Sequence, residues 1–150
     1  MILYIAIIAV IFIVELLLKN YVEKNRELHE KIPVAKGLII LRKYHNEGAF
    51  LDLGAKRKQI VAVVSVVLSL VVTGIFIMSL SMKGSTLLKT GLSILLGGAF
   101  SNTYDRLKRK YVVDYFSFGI GTSKIKKVVY NISDFCILIG ALCIVIAGYK

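Results

Sequence analysis

The chain has 150 residues, 57% of them hydrophobic, and a formal net charge of +11. Soluble domains are roughly 45–50% apolar even when glycine is counted, so the composition argues against an ordinary water-soluble fold. The basic residues lie between long apolar runs and no recognition motif accompanies them, so we expect anionic lipid headgroups as partners and no nucleic acid.

Four apolar runs each approach the roughly 20 residues that span a bilayer. They predict an all-α membrane protein whose single domain, 1–150, has transmembrane helices at about 1–18, 60–82, 86–104 and 132–149. The first run lacks the basic start and small-residue cleavage site of a secretory signal peptide, so we expect it to be a permanent span.

Small residues are concentrated in the last two spans. In the third they let membrane helices approach closely, and in the fourth two cysteines seven positions apart suit packing better than a disulfide or a metal site. These small residues are Gly91, Gly97, Gly98, Ser101, Cys136 and Cys143.

The three connections differ in length and character. After the first span, a charged stretch predicts one or two further helical turns before Pro33, and "GLIILRKY" then predicts a short β element at the membrane surface. A glycine-bearing loop closed by Gly48 and Gly54 follows. The few residues "KGST" predict a tight antiparallel hairpin between the second and third spans, and the basic, aromatic third loop centres on a flexible "SFGIGTS".

Four polar clusters stand at the span edges on the side of the two long loops. Each has a structural explanation, such as a helix-ending ion pair, an interfacial Asp105–Arg106 pair or an N-terminal cap of the fourth helix. Four clusters at one edge exceed what capping requires, so we expect the folded bundle to bring them together. They are Glu15 with Lys19; Asn46, Gly48 and Phe50; Asn102, Asp105, Arg106 and Asp114; and Asn131 with Asp134.

The clusters contain no Ser–His–Asp set, no metal-ligand spacing and no phosphate-binding loop, so we expect no metal and no cofactor. Asp114 and Asp134 remain as candidate catalytic groups. Two close carboxylates in a poorly hydrated site share a proton, so one can activate water while the other assists a carbonyl. This chemistry would be acid–base peptide hydrolysis without a covalent intermediate.

The motifs "NEGAF", "NTYDR", "VVDYF" and "YNISD" together resemble those of lipoprotein signal peptidases, the signal peptidase II family. The resemblance covers essentially the whole chain and implies a multi-pass aspartyl endopeptidase of the bacterial cytoplasmic membrane. Such an enzyme removes signal peptides from diacylglyceryl-modified prolipoproteins, cutting just before the lipid-bearing cysteine. By motif position, Asp114 and Asp134 would be catalytic, and the supporting positions would be Asn46, Asn102, Asp105, Arg106 and Asn131.

The resemblance also implies cytoplasmic termini and an active site facing outward, with the β element in an extracytoplasmic loop. A raw count of positive charges would place the two long loops in the cytoplasm instead. We follow the orientation that the motifs imply. We also expect the protein to be a monomer.

The first helix departs from the family pattern of Asp-Gln followed by Lys, because it has Glu15 and Leu16 before Lys19. "NEGAF" also lacks one of the usual small residues before its aromatic residue. A catalytically silent relative that binds lipidated peptides, or an immunity or regulatory protein, is therefore an alternative. A small transporter or scaffold, with carboxylates that relay protons, is another.

Overall fold

Four long helices correspond to the four apolar runs. The computed structural model describes residues 1–48 and 57–149, so Phe50 and Gly54 lie outside the described residues. In chain order the elements are α1 (Ile2–Asn25), β1 (Lys31–Val34), β2 (Ile39–Asn46), α2 (Lys58–Leu80), α3 (Thr86–Lys108), β3 (Val112–Phe118), α4 (Ser123–Lys127) and α5 (Ile132–Gly148).

Within the described residues, α1 and α2 are the helices long and apolar enough to cross a membrane. Helix α5 is also apolar but has 17 residues, and the second half of α3 carries Asn102, Asp105 and Arg106. The charged stretch after the first apolar run continues α1 to Asn25, as predicted.

Helix α3 is the central helix of the bundle, because α1, α2 and α5 all pack against it. Small residues make the α3–α5 approach possible. A Cβ atom at Gly98 would lie 2.5 Å from the Ser133 carbonyl oxygen, and one at Gly91 would lie 2.8 Å from Cys143 Cβ. The predicted packing role of these residues is therefore confirmed.

The buried apolar core lies at the contact between α2 and α3 and contains Phe76, Leu92 and Leu96. Large apolar side chains on the outer faces of α1, α2 and α5 remain exposed, among them Val10, Leu70 and Leu142. A water-soluble protein rarely exposes so continuous an apolar surface, whereas lipid covers one readily.

The sheet is antiparallel in the order β1-β2-β3, and it joins the first loop to the third. The expectation of a β element in the first loop is confirmed. Strand β3 in the third loop was not predicted, and the expectation of a flexible "SFGIGTS" was wrong for Ser117 and Phe118, which belong to this strand. Residues 112–115 are all buried, so β3 lacks the in–out alternation that reveals a half-buried strand. In the register of the sheet, Tyr44 pairs with Asp114 and Asn46 with Val112.

Candidate active site

Asp114 lies in β3 and is 2% exposed. Its two carboxylate oxygens accept hydrogen bonds from amide side chains on either side, 3.0 Å from Asn46 Nδ2 and 2.7 Å from Asn131 Nδ2. Burial raises the pKa of Asp114 to about 7, and the negative charge of Asp134 adds to the effect. The two amide donors oppose this shift because they favour the ionised form, but burial outweighs them, so the carboxyl group can keep a proton near neutral pH.

Asp134 lies in the first turn of α5 and belongs to its N-terminal cap. Its Oδ2 accepts from the Asn131 backbone N–H at 3.1 Å, while its own N–H donates to Asn131 Oδ1 at 3.0 Å. This reciprocal pair is a capping box, so the predicted cap is confirmed. Asp134 Oδ1 accepts from Asn102 Nδ2 at 3.0 Å. Asn131 therefore contacts both aspartates, through its side chain and its backbone.

Both aspartates line a cavity of about 730 Å³. Side chains of α2, α3 and α5 form much of its wall, and the rings of Phe118, Tyr130 and Phe135 pack against one another at its edge. A volume of 300–1,000 Å³ with apolar walls and a few convergent polar groups is typical of a ligand-binding site.

Behind the aspartates, a buried ion cluster centres on Lys19, which has no exposed surface. Its Nζ lies 3.5 Å from Glu15 Oε2 and 3.3 Å from Asp105 Oδ2. It also donates to Asn102 Oδ1 at 2.8 Å and to Ser101 Oγ at 2.9 Å. Because Asn102 in turn donates to Asp134, the lysine stabilises the orientation of that amide.

Arg106 faces the cavity rather than pairing with its neighbour Asp105. Its guanidinium donates to the Gly48 carbonyl at 3.0 Å, and Gly48 N–H donates to Asn46 Oδ1 at 3.0 Å. Asp105 instead pairs with Lys19 and, at 3.2 Å, with Arg109. The interpretation of Asp105 and Arg106 as an ion pair was therefore wrong, because successive helical residues point in different directions.

These bonds connect the ten members of the four polar clusters that lie within the described residues. The sequence pattern that describes the family signal peptidase (SPase) II matches residues 7–150, nearly the whole chain. The chain belongs to the signal peptidase II family.

Similar proteins include three that bear the name lipoprotein signal peptidase. The chain is 31% identical to the one from Latilactobacillus sakei subsp. sakei over 150 residues, covering 98% of this chain and 93% of that one. It is 33% identical to the Shouchella clausii protein, covering 89% and 85%, and 28% identical to the Halothermothrix orenii protein, covering 93% and 90%.

Two solved structures share the fold of this signal peptidase II family member. Both are bacterial membrane enzyme structures obtained by the in meso method, one at 2.3 Å and one at 1.9 Å resolution. The first has a TM-score of 0.81 at 18% identity, covering 98% of this chain and 87% of that one. The second has a TM-score of 0.79 at 20% identity, covering 98% and 92%.

Sequence reasoning missed three contributors to the site of this signal peptidase II family member: Tyr115, Ser133 and Arg109. Tyr115 and Ser133 both bind Glu15, and Arg109 pairs with Asp105. Tyr115 stands in the largely apolar run "VVDYF", which was a usable signal, because a buried phenol hydroxyl usually needs a partner. In the described part of the chain, no three His, Cys, Asp or Glu side chains are grouped to hold a metal ion.

Proposed function

We propose that this signal peptidase II family member is an intramembrane aspartyl endopeptidase with Asp114 and Asp134 as its catalytic pair. Its substrates are diacylglyceryl-modified prolipoproteins, cut just before the lipid-bearing cysteine. The observation that carries the proposal is that both carboxylates line one cavity and bind the same residue, Asn131. The names of the similar lipoprotein signal peptidases support the substrate class.

In the proposed mechanism the two aspartates have opposite roles. Asp114, whose pKa is raised to about 7, holds a proton and donates it to the carbonyl oxygen of the scissile peptide bond. Asp134 acts as the base, and its carboxylate oxygens accept from the Asn131 N–H and from the Asn102 amide. It takes a proton from a water molecule as the water oxygen bonds to the carbonyl carbon. The resulting gem-diol collapses as Asp134 gives its proton to the leaving nitrogen, Asp114 takes a proton from a diol hydroxyl, and the C–N bond breaks, which restores both aspartates to their starting states.

The cavity suits a lipidated substrate because its lining combines the two aspartates with many apolar side chains. Leu68 and Val72 of α2 and Leu138 of α5 line its apolar part. In the proposed pose, the peptide bond lies against the aspartates and apolar parts of the substrate lie between α2 and α5. Arg106 also lines the cavity and can donate to substrate carbonyls.

We further propose that α1, α2, α3 and α5 all cross the membrane as one domain, with cytoplasmic termini and the sheet at the outer surface. In that arrangement the sheet and β3 hold the aspartates at the outer edge of the bilayer. The working unit is a monomer, and the basic loops contact anionic lipid headgroups.

The test is cleavage of a diacylglyceryl-modified prolipoprotein by purified protein in detergent, with the new N-terminus identified by mass spectrometry. Wild type should release a fragment beginning at the lipidated cysteine. Asp114→Asn and Asp134→Asn should each lose at least about 10³-fold in kcat, because groups that act as a unit are not additive. Glu27→Gln, the same kind of change at an exposed residue, is the matched control.

Robust cleavage by well-folded Asp114→Asn protein would refute the aspartyl mechanism. Binding of the substrate by wild type without cleavage, with activity appearing in a Glu15→Asp, Leu16→Gln double variant, would indicate a silent relative. Proton-coupled flux in vesicles without cleavage would indicate a transporter.

A further inference from the structure

Tyr115 follows Asp114 in β3, and its hydroxyl contacts two other elements. It donates to the Glu15 carboxylate of α1 and accepts from the Ile132 N–H of α5 at 3.0 Å. Burial raises the pKa of Tyr115, so the hydroxyl keeps the proton that it donates. One phenol group therefore joins α1, β3 and α5.

The N–H groups that open α5 all have partners. The capping box satisfies those of Asn131 and Asp134. The remaining two, of Ile132 and Ser133, donate to the Tyr115 hydroxyl and, at 3.2 Å, to Glu15 Oε2. Helix N-termini commonly leave such groups to water, so two caps supplied by distant elements exceed what helix formation requires.

The Glu15 carboxylate holds this arrangement in place from α1. Its Oε2 also accepts from Ser133 Oγ at 2.6 Å and lies 3.5 Å from Lys19 Nζ. Glu15 is fully buried, so its direction is set by these contacts and by Tyr115 rather than by water. A buried and fully partnered carboxylate is a rigid anchor for the groups that bind it.

We infer that Tyr115, anchored by Glu15, is a positioning residue that sets the placement of Asp114 relative to Asp134. The inference rests on the proposed function. Tyr115 is bonded through the backbone to Asp114, and its hydroxyl binds the amide two residues before Asp134. A shift of either backbone segment away from the other therefore has to break this contact. Placement matters because a misplacement of about 1 Å can lower a rate by roughly 100-fold.

The test compares two tyrosine-to-phenylalanine variants in the prolipoprotein cleavage assay. Tyr115→Phe keeps the buried ring and removes the hydroxyl, so kcat should fall by about 10- to 100-fold while KM stays within about twofold. Tyr111→Phe is the matched control, because Tyr111 also donates to a glutamate, Glu23 Oε1 at 3.1 Å, away from the aspartates. Its kcat should stay within about twofold of wild type.

Melting temperatures in detergent separate positioning from general stability. If Tyr115→Phe lowers the melting temperature but the folded protein keeps wild-type kcat, or if both variants lose kcat equally, the inference is refuted. Should Tyr115→Phe fail to fold, Ser133→Ala loosens Glu15 without altering Tyr115, and wild-type kcat in folded Ser133→Ala protein would overturn the inference. Absence of cleavage by wild type would instead contradict the proposed function.

Discussion

Replacing Asp114 by asparagine should change how stability depends on pH. Burial and the charge of Asp134 raise the pKa of Asp114 from 3.8 to about 7, so the folded state binds this proton more tightly than the unfolded state. Stability of the wild type should therefore fall as the pH rises from about 4 to about 7 and stay level above that. The asparagine side chain does not titrate, so the stability of Asp114→Asn should not show this fall with pH.

The size of the effect follows from the pKa difference. A tenfold difference in proton affinity is worth about 1.4 kcal/mol, so the wild type loses about 4 kcal/mol in all and about 3 kcal/mol between pH 5 and pH 8. The substitution also has a cost, because the asparagine side chain at position 114 has one acceptor oxygen where the aspartate has two. Either Asn46 or Asn131 loses a partner, at a pH-independent cost of about 1–3 kcal/mol.

Thermal unfolding in detergent at pH 5 and pH 8 measures the difference between variant and wild type. The melting temperature of a chain of this size shifts by about 2–4 °C per kcal/mol. The melting temperature of Asp114→Asn relative to wild type should therefore be roughly 6–12 °C higher at pH 8 than at pH 5. Glu27→Gln, at an exposed carboxylate, controls for the general effect of removing a negative charge. Parallel curves for wild type and Asp114→Asn would refute the reasoning, because Asp114 would then be ionised at no cost.

Two further predictions concern packing and orientation. Gly98→Ala should destabilise the protein by about 1–3 kcal/mol, because the added methyl group would lie 2.5 Å from a backbone oxygen of α5. Gly74→Ala, whose methyl group would meet no described atom within 4 Å, should leave the melting temperature unchanged or higher, and equal destabilisation of the two would contradict the close α3–α5 contact. For orientation, a cysteine replacing Ile120 should react with membrane-impermeant thiol reagents from outside the cell, whereas one replacing Lys83 should not. The reverse labelling pattern would place the two long loops in the cytoplasm.

The helices and the candidate aspartates could be predicted from the sequence because the signals that mark them are local. An apolar run of about 20 residues indicates a long helix wherever it lies in the chain, and α1, α2, α3 and α5 begin and end near the predicted boundaries. Asn131 and Asp134 are three residues apart, so the cap of α5 was also readable from spacing.

The connections between these parts depend on tertiary structure. Asn46 and Asp114 are 68 positions apart in the sequence and form a hydrogen bond because β3 pairs with β2. An evenly buried strand has no alternation of apolar and polar residues from which that pairing could be predicted. Glu15 and Ser133 are 118 positions apart in the sequence. They form a hydrogen bond because small residues let α3 and α5 approach each other closely and α1 packs beside them. Sequence alone treated Glu15 as one end of an ion pair with Lys19. Only the packing of three helices and a strand made it the anchor of Tyr115, because hydrogen-bond partners are set by distances in space rather than by spacing along the chain.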